Sequence, residues 1–223
     1  MALILYGSSL SPFVRKVRVV LEEKSIPYTL EQISPFRAPP DFEKISPLRR
    51  IPVLRDTDWA EGMTLPDSSV IADYLENCHP VPALFPKPPF ERARALWFEE
   101  YVDGGIFPLV GPSLFYERVV KKFIRGSTTN HELARQAVEE GLPPLFDYLE
   151  RELGDRQWLA GQHYSIADIS VGSMMVNYHH AGETLDQGRW PRLAAYVARL
   201  HARPTFAALI AEEMPLIEKA RSR

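Results

Sequence analysis

The sequence predicts a small α/β unit followed by an all-helical one, and three observations carry that prediction. Up to about residue 78, short apolar runs suited to strands alternate with helical stretches in the order β-α-β-α-β-β-α. Between Asn77 and Pro89, prolines at 80, 82, 86, 88 and 89 interrupt regular structure. Beyond that point the apolar residues recur at helical spacing. The expected organisation is a first domain over 1–78, a proline-rich linker over 79–89 and a helical domain over 90–223.

Leu3 to Tyr6 is an apolar run for a buried strand, and Gly7, Ser8 and Ser9 supply a turn. Ser11 then stands at a helix N-cap with Pro12 at the first helical position. Phe13, Val14, Val17, Val20 and Leu21 form the apolar face of that helix, and Arg15, Lys16, Arg18, Glu22 and Glu23 fall mainly between them. A hydroxyl beside free N–H groups at the positive end of a helix is a place to hold an anion. Ser25-Ile26-Pro27 ends the helix, and Tyr28 to Ile33 reads as a second strand. A loop over 35–40, a short helix over 41–45, a strand over 50–54 and a paired strand over 59–65 follow. Asp67-Ser68 opens a helix whose apolar side holds Val70, Ile71, Tyr74 and Leu75.

In the second half, a helical stretch over 90–123 is expected to bend or break at Gly104-Gly105, Pro108 and Gly111-Pro112. Asn130 caps a stretch to about Leu153, with a kink at Pro143-Pro144. Ser165-Ile166-Ala167-Asp168 is a capping box, flanked by Tyr164 and Ile169 at the staple positions. The apolar run after it predicts a helix in the middle of a bundle. Helices over 191–203 and 204–220 complete the set.

Bulk properties exclude several classes. The 223 residues carry a net charge of −3, which gives no electrostatic case for nucleic acid or a membrane surface. No run approaches the roughly 18–20 apolar residues of a spanning helix, and no signal-peptide pattern opens the chain. The single cysteine, Cys78, allows neither an internal disulfide nor a CxxC pair and is expected to be a buried small hydrophobe. These features predict a soluble, cytoplasmic protein. No metal is expected: His179 and His180 are adjacent rather than at i, i+4, and suit a helix C-terminus favoured by its dipole.

Four local motifs, in order, resemble the cytosolic glutathione transferases of the serine type (bacterial, phi, theta and zeta-like). They are Ser11-Pro12-Phe13 at the first strand-to-helix turn, Ile51-Pro52-Val53-Leu54, Asp67-Ser68-Ser69-Val70-Ile71, and the segment from Gly161 to Asp168. The resemblance implies a thioredoxin-like first domain and a helical second domain. It implies a cis bond before Pro52, and glutathione as cosubstrate. In that family the residue at Ile51 binds glutathione through its backbone edge, in the manner of an added strand. Asp67 and Ser68 bind the γ-glutamyl end, and a basic residue at Arg50 meets the glycyl carboxylate. As bare sequence, Asp67-Ser68 is equally a helix cap and Arg50 a solvated surface charge. Two departures stand out. Arg49 occupies a position where relatives carry glycine, so the loop there is open to difference. Asp67 is one methylene shorter than the usual glutamate.

Ser11 is the candidate catalytic residue, with Ser8, Ser9 and Tyr6 as competitors for the hydroxyl role. A thiol of pKa about 8.5 needs a drop of roughly 2 units, about 2.7 kcal/mol, to be mostly thiolate near neutrality. A hydrogen bond to a charged group contributes about 1.5–3 kcal/mol and a helix N-terminus up to ~2. Together they suffice without a general base. There is no G-x-S-x-G elbow for a serine hydrolase and no cysteine at the turn for thiol–disulfide exchange. The implied function is conjugation of the glutathione thiolate to small hydrophobic electrophiles. These would lie between the opening turn and the first long helix of the second domain. Phe13, Tyr101, Phe107, Phe115 and Tyr116 are candidates to line that place, or to be core. The alternatives are a glutathione-dependent isomerase or dehalogenase, ranked second because the isomerases' Ser-Ser-Cys is Ser11-Pro12-Phe13 here, and a non-catalytic binding member. The resemblance also implies a homodimer, the first domain of one chain packing on the helical domain of the other.

Overall fold

The computed structural model describes residues 3–34, 36, 38–58, 63–124 and 128–222. The chain forms two compact units that meet in sequence between Phe85 and Pro86. The architecture is the expected one: a thioredoxin-like α/β unit followed by a helical unit.

In the first unit, β1 (Leu3–Gly7), β2 (Tyr28–Gln32), β3 (Val53–Asp56) and β4 (Thr64–Pro66) form one sheet in the order β2-β1-β3-β4. β1 runs parallel to β2 and antiparallel to β3, and β3 is antiparallel to β4. Helix α1 (Pro12–Glu23) crosses from β1 to β2, and α2 (Ser68–Cys78) follows β4. The strand expected from residue 50 begins at Val53, since Pro52 has no N–H to give a ladder. Of the strand expected over 59–65 only the end is seen, as part of β4, and residues 59–62 lie outside the described residues. The short helix expected over 41–45 is a 3-10 turn at Pro40–Lys44.

Helix α1 departs from the expected half-buried pattern. Its apolar Val14, Val17, Val20 and Leu21 are buried, and so are Arg15, Lys16 and Arg18. Arg18 Nε donates to the Tyr28 hydroxyl at 2.8 Å and Lys16 Nζ to Ser69 Oγ at 3.3 Å. Lys16 and Arg18 are therefore met by α2 and β2 rather than by water. At the end of α1, Lys24 Nζ pairs with Glu76 Oε2 at 2.7 Å and donates to the carbonyls of His79 and Pro82, each at 2.7 Å. All three ammonium hydrogens are thus used. Glu76 also accepts from the N–H groups of Leu84 and Phe85, so the proline-rich stretch as far as 85 lies against the first unit. Cys78, expected to be buried, is exposed, because it ends α2 beyond the helix's last buried residue, Glu76.

The helical unit opens with α3 (Pro89–Glu100), Pro89 taking the first helical position. The chain then continues as π-helical turns over Tyr101–Ile106 and Leu109–Val120 and ends in α4 (Lys121–Ile124). The expected break at Pro108 and Pro112 is instead a widening. Each proline lacks the N–H of a normal turn and crowds the carbonyl four residues back, and a wider turn accommodates both. The same happens before Pro143-Pro144: α5 (His131–Gln136), capped by Asn130 Oδ1 on Leu133 N at 3.1 Å, passes through a π turn at Ala137–Gly141 into α6 (Leu142–Leu153).

Helix α7 (Ile166–His180) is buried over almost its whole circumference, as a central helix should be. α8 (Pro191–His201) and α9 (Pro204–Arg221) flank it, and Gly172 lets the Phe206 ring of α9 approach; an added Cβ would sit 2.7 Å from Phe206 Cζ. The capping box is present. Its Asp168 is fully buried and accepts from Ser165 N (2.8 Å), Leu159 N (3.1 Å) and the Tyr196 hydroxyl (2.5 Å). One carboxylate therefore ties together the loop before α7, the start of α7 and α8. His180 Nε2 meets Glu213 Oε2 of α9 at 2.9 Å, a buried pair no local pattern announced. Burial first, and His180 second, lower the His179 pKa, so this imidazole is neutral and the expected favourable dipole does not apply to it.

Replacing Asp168 with Ala takes the acceptor from two buried hydroxyls, of Tyr196 and Ser165, and two buried N–H groups. The expected loss is about 3 kcal/mol or more, read from the urea midpoint of the full chain. A change under about 0.5 kcal/mol would show that Asp168 is not the tie described.

Candidate functional site

The register of the sheet brings the motifs together. Tyr6 pairs with Val53, and Val53 pairs with Pro66, so these residues stand in one row across β1, β3 and β4. At that end of the sheet the chain leaves β1 towards Ser11, enters β3 from Ile51-Pro52 and leaves β4 into Asp67-Ser68. Asp67 N donates to Pro52 O at 3.3 Å, extending the β3–β4 ladder by one bond.

Ser11 is the N-cap of α1, its hydroxyl accepting from Val14 N at 3.4 Å. Gly7 makes the approach possible, for a Cβ there would run into the Val14 side chain. The Ser11 side chain is half-buried, whereas Ser9 is 4% exposed, with its backbone N–H given to Gln32 Oε1 at 3.3 Å. Tyr6 is half-buried within β1.

The Ile51-Pro52 bond is cis. Ile51 is buried, and its N–H and C=O make no hydrogen bond among the described residues. A peptide edge without partners is what an extended peptide ligand would complete. Arg50 beside it is exposed. Arg49 takes φ 53, the left-handed conformation in which glycine is usual, so its backbone does what a glycine's would. Ser46 holds this loop and was not singled out from the sequence. It is wholly buried; its hydroxyl donates to Arg50 O at 2.8 Å and accepts from Arg50 N at 3.0 Å. Only the Ser-Pro dipeptide hinted at a turn there.

Asp67 caps α2, Oδ1 accepting from Ser69 N (2.9 Å) and Val70 N (3.3 Å), with Oδ2 left outside the cap. Its φ of 88 is uncommon for a residue with a side chain and costs on the order of 1–3 kcal/mol, a kind of strain that clusters at ligand sites. Ser68 follows at the first helical position and is 3% exposed. Lys16 links this helix start to α1 through Ser69. Two helix N-termini, each with positive partial charge, thus open at one end of the sheet.

Of the aromatic candidates for an electrophile site, Phe115 is core at 6% exposure. Tyr101 donates to Leu145 O at 3.2 Å, and burial pushes its pKa up to about 12, so it is a neutral phenol. Phe13, Phe107 and Tyr116 are half-buried. Among the described residues no cluster of three or more His, Cys, Asp or Glu side chains could hold a metal ion, and no helix is long and apolar enough to cross a membrane.

Residues 5–84 match the family model for the glutathione S-transferase N-terminal domain and residues 115–213 the model for its C-terminal domain. The chain belongs to the glutathione S-transferase family. FtsZ-localized protein A of Caulobacter vibrioides is 27% identical over 95% of this chain and 92% of its own length. A probable maleylacetoacetate isomerase of Vibrio cholerae is 26% identical over 96% and 98%. A Methylobacterium radiotolerans glutathione S-transferase, solved in complex with glutathione sulfonate, superposes with a TM-score of 0.76 at 28% identity, covering 94% of this chain and 95% of that one. The glutathione S-transferase family uses glutathione as substrate.

Ser46→Ala removes both bonds that hold the Arg50 peptide. The expected cost is about 1–3 kcal/mol in urea denaturation, partly restored by Ser46→Thr. Equal stability of Ser46→Ala and the parent would show that the loop holds itself without the hydroxyl.

Proposed function

We propose that this protein is a glutathione transferase that conjugates the glutathione thiolate to small hydrophobic electrophiles. The observation that carries the reading is the row Tyr6–Val53–Pro66, which sets the Ser11 cap, the open edge of Ile51 and the Asp67-Ser68 helix start at one end of the sheet. In this reading Ile51 N–H and C=O pair with the cysteinyl part of glutathione. Ser68 and the α2 N-terminus take the γ-glutamyl carboxylate, Asp67 Oδ2 takes its amine, and Arg50 meets the glycyl carboxylate. Ser11 donates its O–H to the sulfur while a lone pair accepts from Val14 N, so capping and catalysis coexist. The half-exposed setting of Ser11 favours it over the enclosed Ser9. The sulfur then attacks carbon, and the leaving group departs with the bonding pair. A single cysteine suits a reducing, cytoplasmic setting, and the reaction class suits detoxification.

Two other readings rest on named relatives. The isomerase-named protein of Vibrio cholerae supports isomerisation through reversible addition of the same thiolate, a reading that Ser11-Pro12-Phe13 had ranked second. The likeness to FtsZ-localized protein A supports a member that keeps the fold for binding.

Retention on immobilised glutathione is expected, and a folded chain that passes through would overturn both enzymatic readings. Given retention, Ser11→Ala should move the ultraviolet titration of the bound thiol to higher pH and slow conjugation of an aryl halide about tenfold or more. An unchanged titration would assign the sulfur contact to Ser9 or Tyr6.

We further propose a homodimer. The solvent side of α3 and α6 carries an aromatic group unusual for a free surface: Trp97 is 49% and Phe90 75% exposed, and Trp97 Nε1 donates to the Tyr148 hydroxyl at 2.7 Å. Sedimentation should give twice 25.4 kDa, and Trp97→Glu should shift the mass towards the single chain. A parent sedimenting at the single-chain mass would refute this pairing.

A further inference from the structure

A concave surface on the helical unit has no part in the glutathione reading. It is a groove of about 240 Å³ lined by Arg118, Val119, Lys122, Thr129, His131, His180, Ala181 and Arg221. We propose that it binds a small oxyanion of two or more charges, of the diphosphate type.

The argument is one of unbalanced charge. Arg118, Lys122 and Arg221 are cations, and no acid is among the lining residues. Three carboxylates on the elements around the groove have partners. Glu183 takes Arg118 Nη1 at 2.6 Å, Glu117 takes Lys121 Nζ at 2.8 Å and Asn130 N at 2.7 Å, and Glu213 meets His180. Capping of α7 accounts for part of the two arginines: Arg118 Nη1 donates to Ala181 O at 3.1 Å and Arg221 Nη2 to His180 O at 3.4 Å. Those carbonyls carry only about half a negative charge between them. Three full positive charges therefore outweigh Glu183 and the helix end together. Donors also remain. A guanidinium has five N–H groups, and the bonds above use one nitrogen of each arginine. Lys122 and His131 make no hydrogen bond or ion pair among the described residues. His131 adds an imidazole to the lining at the first position of α5. By this count about one and a half positive charges remain, enough to attract a polyanion, and the oxygens of a diphosphate group suit several forked and point donors at once.

The test is calorimetric titration of the full-length chain at low salt with inorganic pyrophosphate, and separately with ADP as an organic source of the same group. Saturable binding is expected, weaker at high salt and weakened about tenfold by Lys122→Ala, with glutathione retention unaltered. Equal affinities would identify the free anion as the ligand and tighter ADP binding a nucleotide; both support the site. No saturable binding of either probe at about 10 mM, a concentration at which a millimolar Kd would register, would overturn it. So would unchanged binding in both Lys122→Ala and the charge-reversing Lys122→Glu.

Discussion

The antiparallel register of β3 between β1 and β4 is the constraint from which the candidate site follows. Side chains and peptide edges of a strand are fixed once its partner is fixed, because a slip of one residue turns every side chain to the other face. Tyr6, Val53 and Pro66 share a row, so three segments far apart in sequence open at the same end of the sheet. The bond from Asp67 N to Pro52 O then carries this alignment past the last paired residues. Buried Val53 and Leu54 protect the register, since both faces of β3 lie within the core.

Much of this was legible in the sequence because it is written in short-range chemistry. A helix cap is a relation among neighbours, and so Ser11, Asp67, Asn130 and the Ser165–Asp168 box could be read where they stand. The order of strands and helices followed from apolar spacing. The assembly of Ser11, Ile51 and Asp67 into one place did not. It came only by resemblance, and its physical cause is strand pairing between residues tens of positions apart.

What could not be read shares one property: its partners are distant or its environment is set by tertiary packing. Lys16 and Arg18 look like part of a solvated face until Ser69 of α2 and Tyr28 of β2 meet them. Ser46 looks like an ordinary turn residue until Arg50 folds back on it. His180 finds Glu213 across 33 positions. Pro108 and Pro112 mislead in another way: their local effect is real, but packed surroundings favour a wider turn over a broken helix.

The Lys24–Glu76 pair bears on where the first unit ends as a piece of matter rather than as a stretch of pattern. Its ammonium depends on carbonyls at 79 and 82, and its carboxylate on N–H groups at 84 and 85. A recombinant fragment trimmed at the close of α2 would strip two acceptors from a buried cation and two N–H donors from the carboxylate paired with it. The smallest self-sufficient fragment therefore carries its proline-rich tail, which acts as a clasp sewn onto the unit it follows.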